Sequence, residues 1–239
     1  MNKVLLSVVA LMMVYCPTAF AMETDVSSHL VSQYVAQNGS VFTNHAGEKT
    51  ALAVAFENGV YAEVWNFTNF QEGNAAREFD YTVGFASSVS NLDMDIGVSY
   101  LDVADFLSSR GDSLLLYVTF SKEFNIYETQ IVTPSITFEG YVPVEDDGSE
   151  NRGSDVVVSV EHSFNLGGFS LYHAPGFVID DGQFGCDAGV VGLWEVGITE
   201  KMTEKLSLDA SWSNSVPLFG LDDGRKTESV LSVGFAYSL

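Results

Sequence analysis

The sequence predicts an all-β fold, an up-and-down antiparallel transmembrane β-barrel of about twelve strands. Three observations support this prediction. Apolar and polar residues alternate along many short segments, the connections between them alternate between short and long, and the chain ends on an apolar strand. A closed barrel pairs its backbone N–H and C=O groups between neighbouring strands, so it crosses lipid without any apolar helix.

The segment from Thr227 to Leu239 is the clearest strand. Every second residue is apolar and the intervening ones are small or polar; the apolar set is Leu231, Val233, Phe235, Tyr237 and Leu239. In a soluble protein such an edge would promote aggregation, whereas in a barrel the last strand pairs with the first. The segment resembles the sorting signal of bacterial outer-membrane proteins, although it ends on Leu and not on Phe or Trp. We therefore expect the outer-membrane assembly machinery to be a partner.

The N-terminal segment predicts export. Lys3 precedes an apolar run from Val4 to Tyr15, and residues 19–21 read Ala-Phe-Ala. This is the pattern of a secretory signal peptide, residues 1–21, which is cleaved to leave a single barrel domain at 22–239. Cys186 is then the one remaining cysteine, so the fold must be stable without an internal disulfide bond.

Charge excludes one class of partner. The mature chain would carry nine Lys and Arg against 32 Asp and Glu, a net charge of −23. Nucleic acid binding requires clustered basic residues, so we expect no nucleic acid partner. No segment after the signal peptide approaches the roughly 18 consecutive apolar residues of a membrane helix.

Turn residues divide the mature chain into strands. Alternation is strongest in 78–88, 92–101, 155–164, 205–214 and 228–239, and Pro134 should bend or interrupt one of the others. The predicted strands are 29–42, 50–57, 60–70, 78–88, 92–101, 113–122, 125–142, 155–164, 168–175, 190–199, 205–214 and 228–239.

The connections carry an independent signal. Short ones such as Glu57 to Gly59, Lys122 to Asn125 and Asn165 to Gly167 alternate with long ones such as Asp102 to Asp112 and Gly176 to Gly189. Outer-membrane barrels have short periplasmic turns and long external loops, so both termini should lie in the periplasm. A soluble β-sandwich is the alternative fold, but it does not explain this rhythm.

Several short motifs in the first half of the chain match a known pattern. Residues 61–65 are similar to a Tyr-x-Gly-Val-Trp strand, with Glu63 in place of Gly, and residues 78–84 are similar to Glu-x-Asp-Tyr-x-x-Gly. Residues 37–40 stand where Arg-Gly-x-Ser is usual. Through these motifs the chain resembles the TorF-like porins, also called the Gcw_chp family. That resemblance implies an outer-membrane barrel of porin type and no defined substrate.

Acidic residues within strands predict the character of the interior. Six carboxylates lie on the strand phase opposite the apolar residues, whereas all nine mature basic residues are expected at turns or loops. Carboxylates without nearby cations are costly to bury dry, which indicates a wet lumen of negative potential. We expect these residues to line a narrow, cation-preferring pore: Asp80, Asp93, Asp95, Glu161, Glu195 and Asp209. The alternative is that they are hydrated residues which merely keep the interior polar.

The loops and the histidines allow further interpretations. Acids at 145–150, 180–187 and 222–223 could hold divalent cations that bridge to lipopolysaccharide, but a solvated charge run is the simpler reading. His162 and Ser163 form a close His and Ser pair, without a nucleophile elbow and with no orienting acid beyond Glu161, the neighbour on the opposite face.

We therefore predict no enzymatic activity, no catalytic residue, no metal and no cofactor. The predicted function is a small porin-like channel for cationic or neutral solutes. The alternative is a structural or surface-interaction barrel with a plugged lumen, whose acidic outer loops bind a partner.

Overall fold

The computed structural model describes residues 22–71, 77–103, 112–144, 152–182 and 186–239. The predicted signal peptide lies outside these ranges and stays a prediction. No helix within them is long and apolar enough to cross a membrane. The described residues form fifteen strands: β1 (Met22–Val31), β2 (Tyr34–Val35), β3 (Val41–Thr43), β4 (Gly47–Phe56), β5 (Val60–Asn69), β6 (Arg77–Val89), β7 (Leu92–Asp102), β8 (Ser113–Ser121), β9 (Phe124–Tyr127), β10 (Gln130–Pro143), β11 (Gly153–Asn165), β12 (Phe169–Asp180), β13 (Gly189–Lys201), β14 (Leu206–Phe219) and β15 (Glu228–Ser238).

Twelve positions make up a closed antiparallel ring. The order around the ring is β1, β4, β5, β6, β7, β8, β10, β11, β12, β13, β14, β15 and back to β1. β8 and β9 pair one after the other with the same edge of β10, so together they occupy one place in the ring. β2 and β3 form a separate two-stranded sheet. The predicted twelve-stranded transmembrane barrel is therefore confirmed.

The first and last strands close the barrel. β15 pairs with β1 from Asp25 opposite Ser238 to Val31 opposite Ser232. The apolar C-terminal strand consequently has no open edge, as the sequence predicted. We call the end of the barrel with both termini and the short turns the turn end, and the opposite end the loop end.

The first strand is placed differently from the prediction. The sequence analysis assigned it to 29–42, whereas β1 runs from Met22 to Val31 and residues 32–46 form a loop that contains β2 and β3. The lipid-side phase of β1 is Thr24, Val26, Ser28 and Leu30, which is too mixed for a clear apolar alternation. Because Gly39 has a φ of 80°, the chain reverses there and cannot continue as one strand. We call residues 32–46 loop 1.

The segment 125–142 is also different from the prediction, because it contains a turn. β9 ends at Tyr127 and β10 begins at Gln130, so the short connection lies at residues 128–129 and not at Lys122 to Asn125. Residues 122–123 are a short break between β8 and β9, and the chain does not turn there. Pro134 does not break β10: its carbonyl accepts a hydrogen bond from the Lys122 N–H at this interruption. The N–H that proline lacks would point to the same side, where regular pairing is interrupted.

Alternation assigns the two faces of the wall. Large apolar side chains such as Leu52, Val64, Ile96 and Leu231 are exposed on the outer face. The alternate residues of each strand pair with one another from strand to strand around the ring, and these residues form the inner face. The fully buried apolar side chains lie on this inner face toward the loop end, beneath loop 1: Val31, Phe67, Leu101, Val178 and Val191.

Candidate functional site: the lumen and its constriction

All six predicted pore-lining acids lie on the inner face. Asp93 and Asp95 on β7, Glu161 on β11 and Asp209 on β14 lie toward the turn end, while Glu195 on β13 lies nearer the middle. Asp80 on β6 lies toward the loop end, opposite Trp65 and Leu101. The six residues therefore surround the lumen at several heights and do not form a single ring. Their effect on ion selectivity remains a prediction.

Two tyrosines fix one of these acids against the wall. The Tyr61 hydroxyl donates a hydrogen bond of 2.8 Å to Asp95 and also contacts the hydroxyl of Tyr117. The two tyrosine rings lie over Gly84 and Gly97, where a Cβ atom would collide with them. The glycines thus let two large rings lie flat on the inner face. Asp95 is held in place by this arrangement and does not move freely in the lumen.

Two other predicted acids are held by the same device. The His29 ring lies over Gly234 and its Nε2 is 3.0 Å from Asp209 Oδ1. On the neighbouring strands β12 and β13, the Tyr172 ring lies over Gly197 and its hydroxyl donates a hydrogen bond of 2.8 Å to Glu195. Ring-over-glycine contacts therefore recur around the barrel and orient carboxylates.

Asp93 has a different setting, because its side chain is exposed. It lies with Asp95 beside a recess of about 420 Å³ that hydroxyl side chains from β6 and β8 also line, among them Ser88, Thr119 and Ser121. Hydroxyl and carboxylate oxygens are the groups that replace water around a cation. Asp93 and Asp95 thus lie beside a recess that is rich in oxygen atoms.

Loop 1 enters the barrel and packs on β5. The Tyr34 ring lies 4.8 Å from the Phe67 ring, 5.7 Å from that of Trp65 and 5.0 Å from that of Phe42, centroid to centroid. Trp65 and Phe67 are inner-face residues, and Phe67 is 1% exposed. The base of loop 1 therefore lies inside the lumen and not above it.

The tip of loop 1 reaches the opposite wall. Asn38 is completely buried, and its side-chain amide donates a hydrogen bond of 3.3 Å to Asp180 at the end of β12. Gly39 lies against Ser215 and Val191 on β14 and β13. In a ring of twelve positions, β5 and β12 are six apart and so diametrically opposed. Loop 1 consequently crosses the lumen at the loop end and narrows it.

One arginine fastens this tip. The Arg225 Nη1 donates hydrogen bonds of 2.7 Å to the Asn38 carbonyl and 2.7 Å to Asp180. Its Nε lies 2.8 Å from Asp223, and its Nη2 donates to the carbonyl of Asp187. The Arg225 side chain is only 6% exposed. The acids of two outer loops are thus gathered around a cation, whereas the sequence analysis favoured a solvated charge run; the acids at 145–150 lie outside the described residues.

Local electrostatics support this ion pairing. Burial would lower the pKa of Arg225, but its hydrogen bond to Asp180 and its attraction to Asp180 and Asp223 raise it above the ordinary value. Burial would likewise raise the pKa of Asp223, but backbone N–H donors of Arg225 and Asp187 and the charge of Arg225 hold it below the usual range. Both groups are therefore charged at neutral pH.

Near the other end of loop 1, the position of Lys49 differs from the prediction. The sequence analysis expected all basic residues at turns or loops, but Lys49 lies within β4 on the inner face. Its Nζ is 4.9 Å from the centroid of the Tyr34 ring and 5.8 Å from that of Trp65. The apolar rings of loop 1 and β5 thus enclose this ammonium by cation–π contact, a tertiary effect that strand alternation does not encode.

Two carboxylates lie under loop 1, and one of them, Glu78, interacts with the Tyr34 hydroxyl and with Lys49. Glu78 is 5% exposed, and within the described part of the chain its Oε2 has no hydrogen-bond partner. The same holds for the Oδ1 of Asp80, the next inner-face residue on β6. Sequence reasoning missed Glu78 because it stands at the edge of the strand pattern. Burying carboxylate oxygens without donors costs free energy, so this is a strained part of the constriction.

The close His and Ser pair does not form a catalytic unit. His162 faces outward, where its ring lies 4.1 Å from that of Phe164 and 5.3 Å from that of His173. Ser163 lies on the other face of the same strand, as neighbouring strand residues must. Across the ranges that the structure describes, no three His, Cys, Asp or Glu side chains are arranged to hold a metal ion.

Comparisons with known proteins agree on the architecture. No protein-family model and no curated protein matches the chain, so the resemblance to the TorF-like porins stays a prediction. Among solved structures, the KdgM porin aligns at 10% identity with a TM-score of 0.61, over 90% of this chain and 99% of the porin. The NanC porin aligns at 13% identity with a TM-score of 0.57, over 90% of this chain and 100% of the porin.

A third similar structure is an outer-membrane channel from Pseudomonas putida F1. It aligns at 11% identity with a TM-score of 0.56, over 94% of this chain and 97% of that channel. The TM-scores establish a shared fold, and at such low sequence identity the similarity shows the fold alone. The closed antiparallel barrel and its apolar outer face are those of a bacterial outer-membrane protein.

Proposed function

We propose that this protein is a small channel for passive diffusion across the bacterial outer membrane, with a preference for cationic and neutral solutes. The observation that carries the proposal is the inner face, where most strands of the ring present an acidic side chain. Twelve strands enclose a lumen between that of side-chain-filled eight-stranded barrels and that of open sixteen-stranded porins. The neighbouring structures include proteins named as porins and channels, which supports this reading.

The charge balance of the inner face supports cation preference. On the strands, His29, Lys49 and Lys201 are the basic side chains that the register places on the inner face within the described residues. The acids on that face outnumber them and include Asp80, Asp93, Asp95, Glu161, Glu195 and Asp209, together with Glu63, Glu78 and Glu139. A cleft lined by one sign of charge concentrates counter-ions. Cations should therefore be enriched in the lumen and anions depleted.

A second function is favoured by one specific observation, the crossing of the lumen by loop 1. If loop 1 closes the lumen, the protein is a surface-interaction barrel whose acidic outer loops bind a partner. Contact of the apolar outer face with membrane lipid and of the loop end with lipopolysaccharide would suit either function. Ion conduction distinguishes the two candidates.

The test is conductance and reversal potential of the refolded mature protein in a planar bilayer under a KCl gradient. We expect discrete channels with a cation-selective reversal potential, which weakens in the Asp93→Asn/Asp95→Asn variant. The matched control is Glu123→Gln/Glu128→Gln, which removes the same charge from exposed positions at the turn end. A folded barrel that inserts but never conducts would refute the channel and favour the surface-interaction barrel. Equal weakening in both variants would refute lumen-based selectivity.

A further inference from the structure

Loop 1 is held at two places that differ in their chemistry. Its ends are tied to the wall, because the Ser32 N–H donates to the carbonyl of Leu231 and the Phe70 N–H donates to the carbonyl of Ala46, each at 2.9 Å. Its tip is held by side chains of other loops. We call the group formed by Asn38, Asp180 and Arg225 the latch.

The segment between these ties is one structural unit. Tyr34 pairs with Thr43 and Val35 with Val41, so β2 and β3 form a small hairpin. The Tyr34 and Phe42 rings stack within that hairpin. Loop 1 can therefore move about its two ends as a body, without unfolding any strand of the barrel wall.

The two halves of the closed arrangement oppose each other energetically. The latch contributes charge-assisted hydrogen bonds between groups that are buried together. The base covers Glu78 and Asp80, and among the described residues one oxygen of each lacks a hydrogen-bond partner and would be hydrated if the loop moved out. Opening therefore exchanges the latch contacts, and the contact of Tyr34 with Glu78, for hydration of these two oxygens.

We propose that loop 1 is a gate which the latch holds across the lumen. When the latch is closed the lumen is narrow; when it opens, the hairpin moves out, the lumen widens, and Glu78 and Asp80 join its cation-attracting wall. This inference rests on the proposed channel function and adds its regulation. Arg225 is the positioning residue, since it binds the tip of loop 1, the end of β12 and two outer loops.

A cysteine provides a direct test. The Ser40 Oγ of loop 1 is 3.0 Å from the Sγ of Cys186 on the far side of the lumen. The Ser40→Cys variant should therefore form a disulfide with Cys186 on oxidation, which needs sulfur atoms about 2.05 Å apart and only a small adjustment. Single-channel conductance of the full mature chain is then measured in oxidised and reduced states. The control is Ser40→Cys/Cys186→Ser under the same oxidant.

The expected result is a single low conductance level when oxidised and additional higher levels after reduction. Arg225→Ala, which leaves loop 1 unlatched, should occupy the high level most of the time, with conductance at least roughly twofold higher because it follows the open cross-section. Lys205→Ala, at the turn end, is the matched control and should behave as the unmodified protein. Heat-modified mobility on gels verifies that each variant is a folded barrel.

Three results would overturn the gate. One is equal conductance of the oxidised and reduced Ser40→Cys protein; another is unchanged conductance in Arg225→Ala. The third is failure of the folded variant to form the disulfide, because the tip then does not lie beside Cys186. Absence of conduction in every variant is a different outcome: it refutes the proposed channel, and the gate with it.

Discussion

At the scale of single residues, the inner wall is organised by glycines. Gly84 and Gly97 leave room for the rings of Tyr61 and Tyr117, and Gly234 leaves room for His29. The side chains that lie over them hold Asp95 and Asp209, so the position of these carboxylates depends on an absent Cβ on a neighbouring strand. A glycine in a strand interior is usually unfavourable; here it makes the packing of the lumen wall possible.

The first prediction tests this packing. Gly84→Val should destabilise the barrel by about 1–3 kcal/mol, because the new side chain displaces the Tyr61 ring from its bond to Asp95. The measurement is urea unfolding in lipid vesicles. Gly140→Val is the control, since a Cβ at that strand position meets no atom within 4 Å. Equal stability of the two variants would show that the ring does not lie over Gly84.

The second prediction concerns the pH dependence of the latch. Because the folded-state pKa of Asp223 is lowered, its contribution to stability is present above the unfolded value of about 3.9 and is lost as the pH falls through the lower folded value. The difference in melting temperature between the unmodified protein and Asp223→Asn should therefore be constant from pH 7 to about 5 and shrink toward zero near pH 2–3.

Thermal melts of both proteins across that range provide the measurement. Asp222→Asn is the comparison, as it makes the same change at the preceding residue of the loop. A difference between the unmodified protein and Asp223→Asn that persists unchanged at the lowest pH would contradict the ion pair.

At the scale of elements, the wall tolerates irregularity where pairing is already interrupted. β8 and β9 share one position of the ring but are separated at residues 122–123, and Pro134 of β10 lies opposite that gap. Proline has no N–H to donate, so it is suited to a stretch of β10 where regular pairing is interrupted. The strand pattern alone showed that Pro134 was unusual. The structure shows that β10 continues through Pro134, because the proline lies opposite the break between β8 and β9.

The third prediction follows from this placement. Pro134→Ala should change the free energy of unfolding by less than about 1 kcal/mol, because the N–H that it restores can add at most one hydrogen bond, at the position where the Lys122 N–H already donates to the carbonyl of residue 134. Thr137→Pro, three residues along the same strand, should destabilise the barrel by on the order of 1–3 kcal/mol, since Thr137 pairs with Thr119 and Val157 on both sides. Unfolding in vesicles compares the two. A larger loss in Pro134→Ala would mean that the ring of Pro134 stabilises β10.

At the scale of the whole molecule, the alternation of apolar and polar residues along each strand gives the barrel an apolar outer face and a polar inner face. The outer phase is apolar, and the inner phase collects many of the acids that give the chain its negative charge. Loop 1 then divides the interior into a narrowed loop end and a wider turn end. Permeation should depend on the fixed charge of the lumen and on the position of this loop.

The fourth prediction concerns the fixed charge. Cation selectivity should be clear at 0.1 M KCl and weaken at 1 M, because the screening length falls from about 10 Å to about 3 Å. Reversal potentials under a constant tenfold salt ratio at both mean concentrations provide the measurement. Selectivity that is independent of ionic strength would indicate that solutes are chosen by contact and not by the field of the wall.

Local pattern was sufficient for the fold. Period-two alternation, turn residues and the apolar C terminus depend only on neighbouring positions, and they correctly predicted the barrel and its strand number. That Asp80, Asp93, Asp95, Glu161, Glu195 and Asp209 line a selective pore stays a prediction. The errors fell where that pattern is weak. β1 presents a mixed outer phase, and the turn at 128–129 lacks Gly, Pro and Asn.

The constriction could be read only from the tertiary structure. Asn38 contacts Asp180, 142 residues away, and Arg225 binds the Asn38 carbonyl across 187 residues. Such contacts exist because barrel closure brings β5 and β12 to opposite sides of a space that loop 1 is long enough to cross. The sequence by itself thus determined a closed, acidic, membrane-spanning barrel, because the alternation of apolar and polar residues along each strand defines its outer and inner faces. Only the tertiary structure decided what lies inside it, because that depends on groups which meet once the ring has closed.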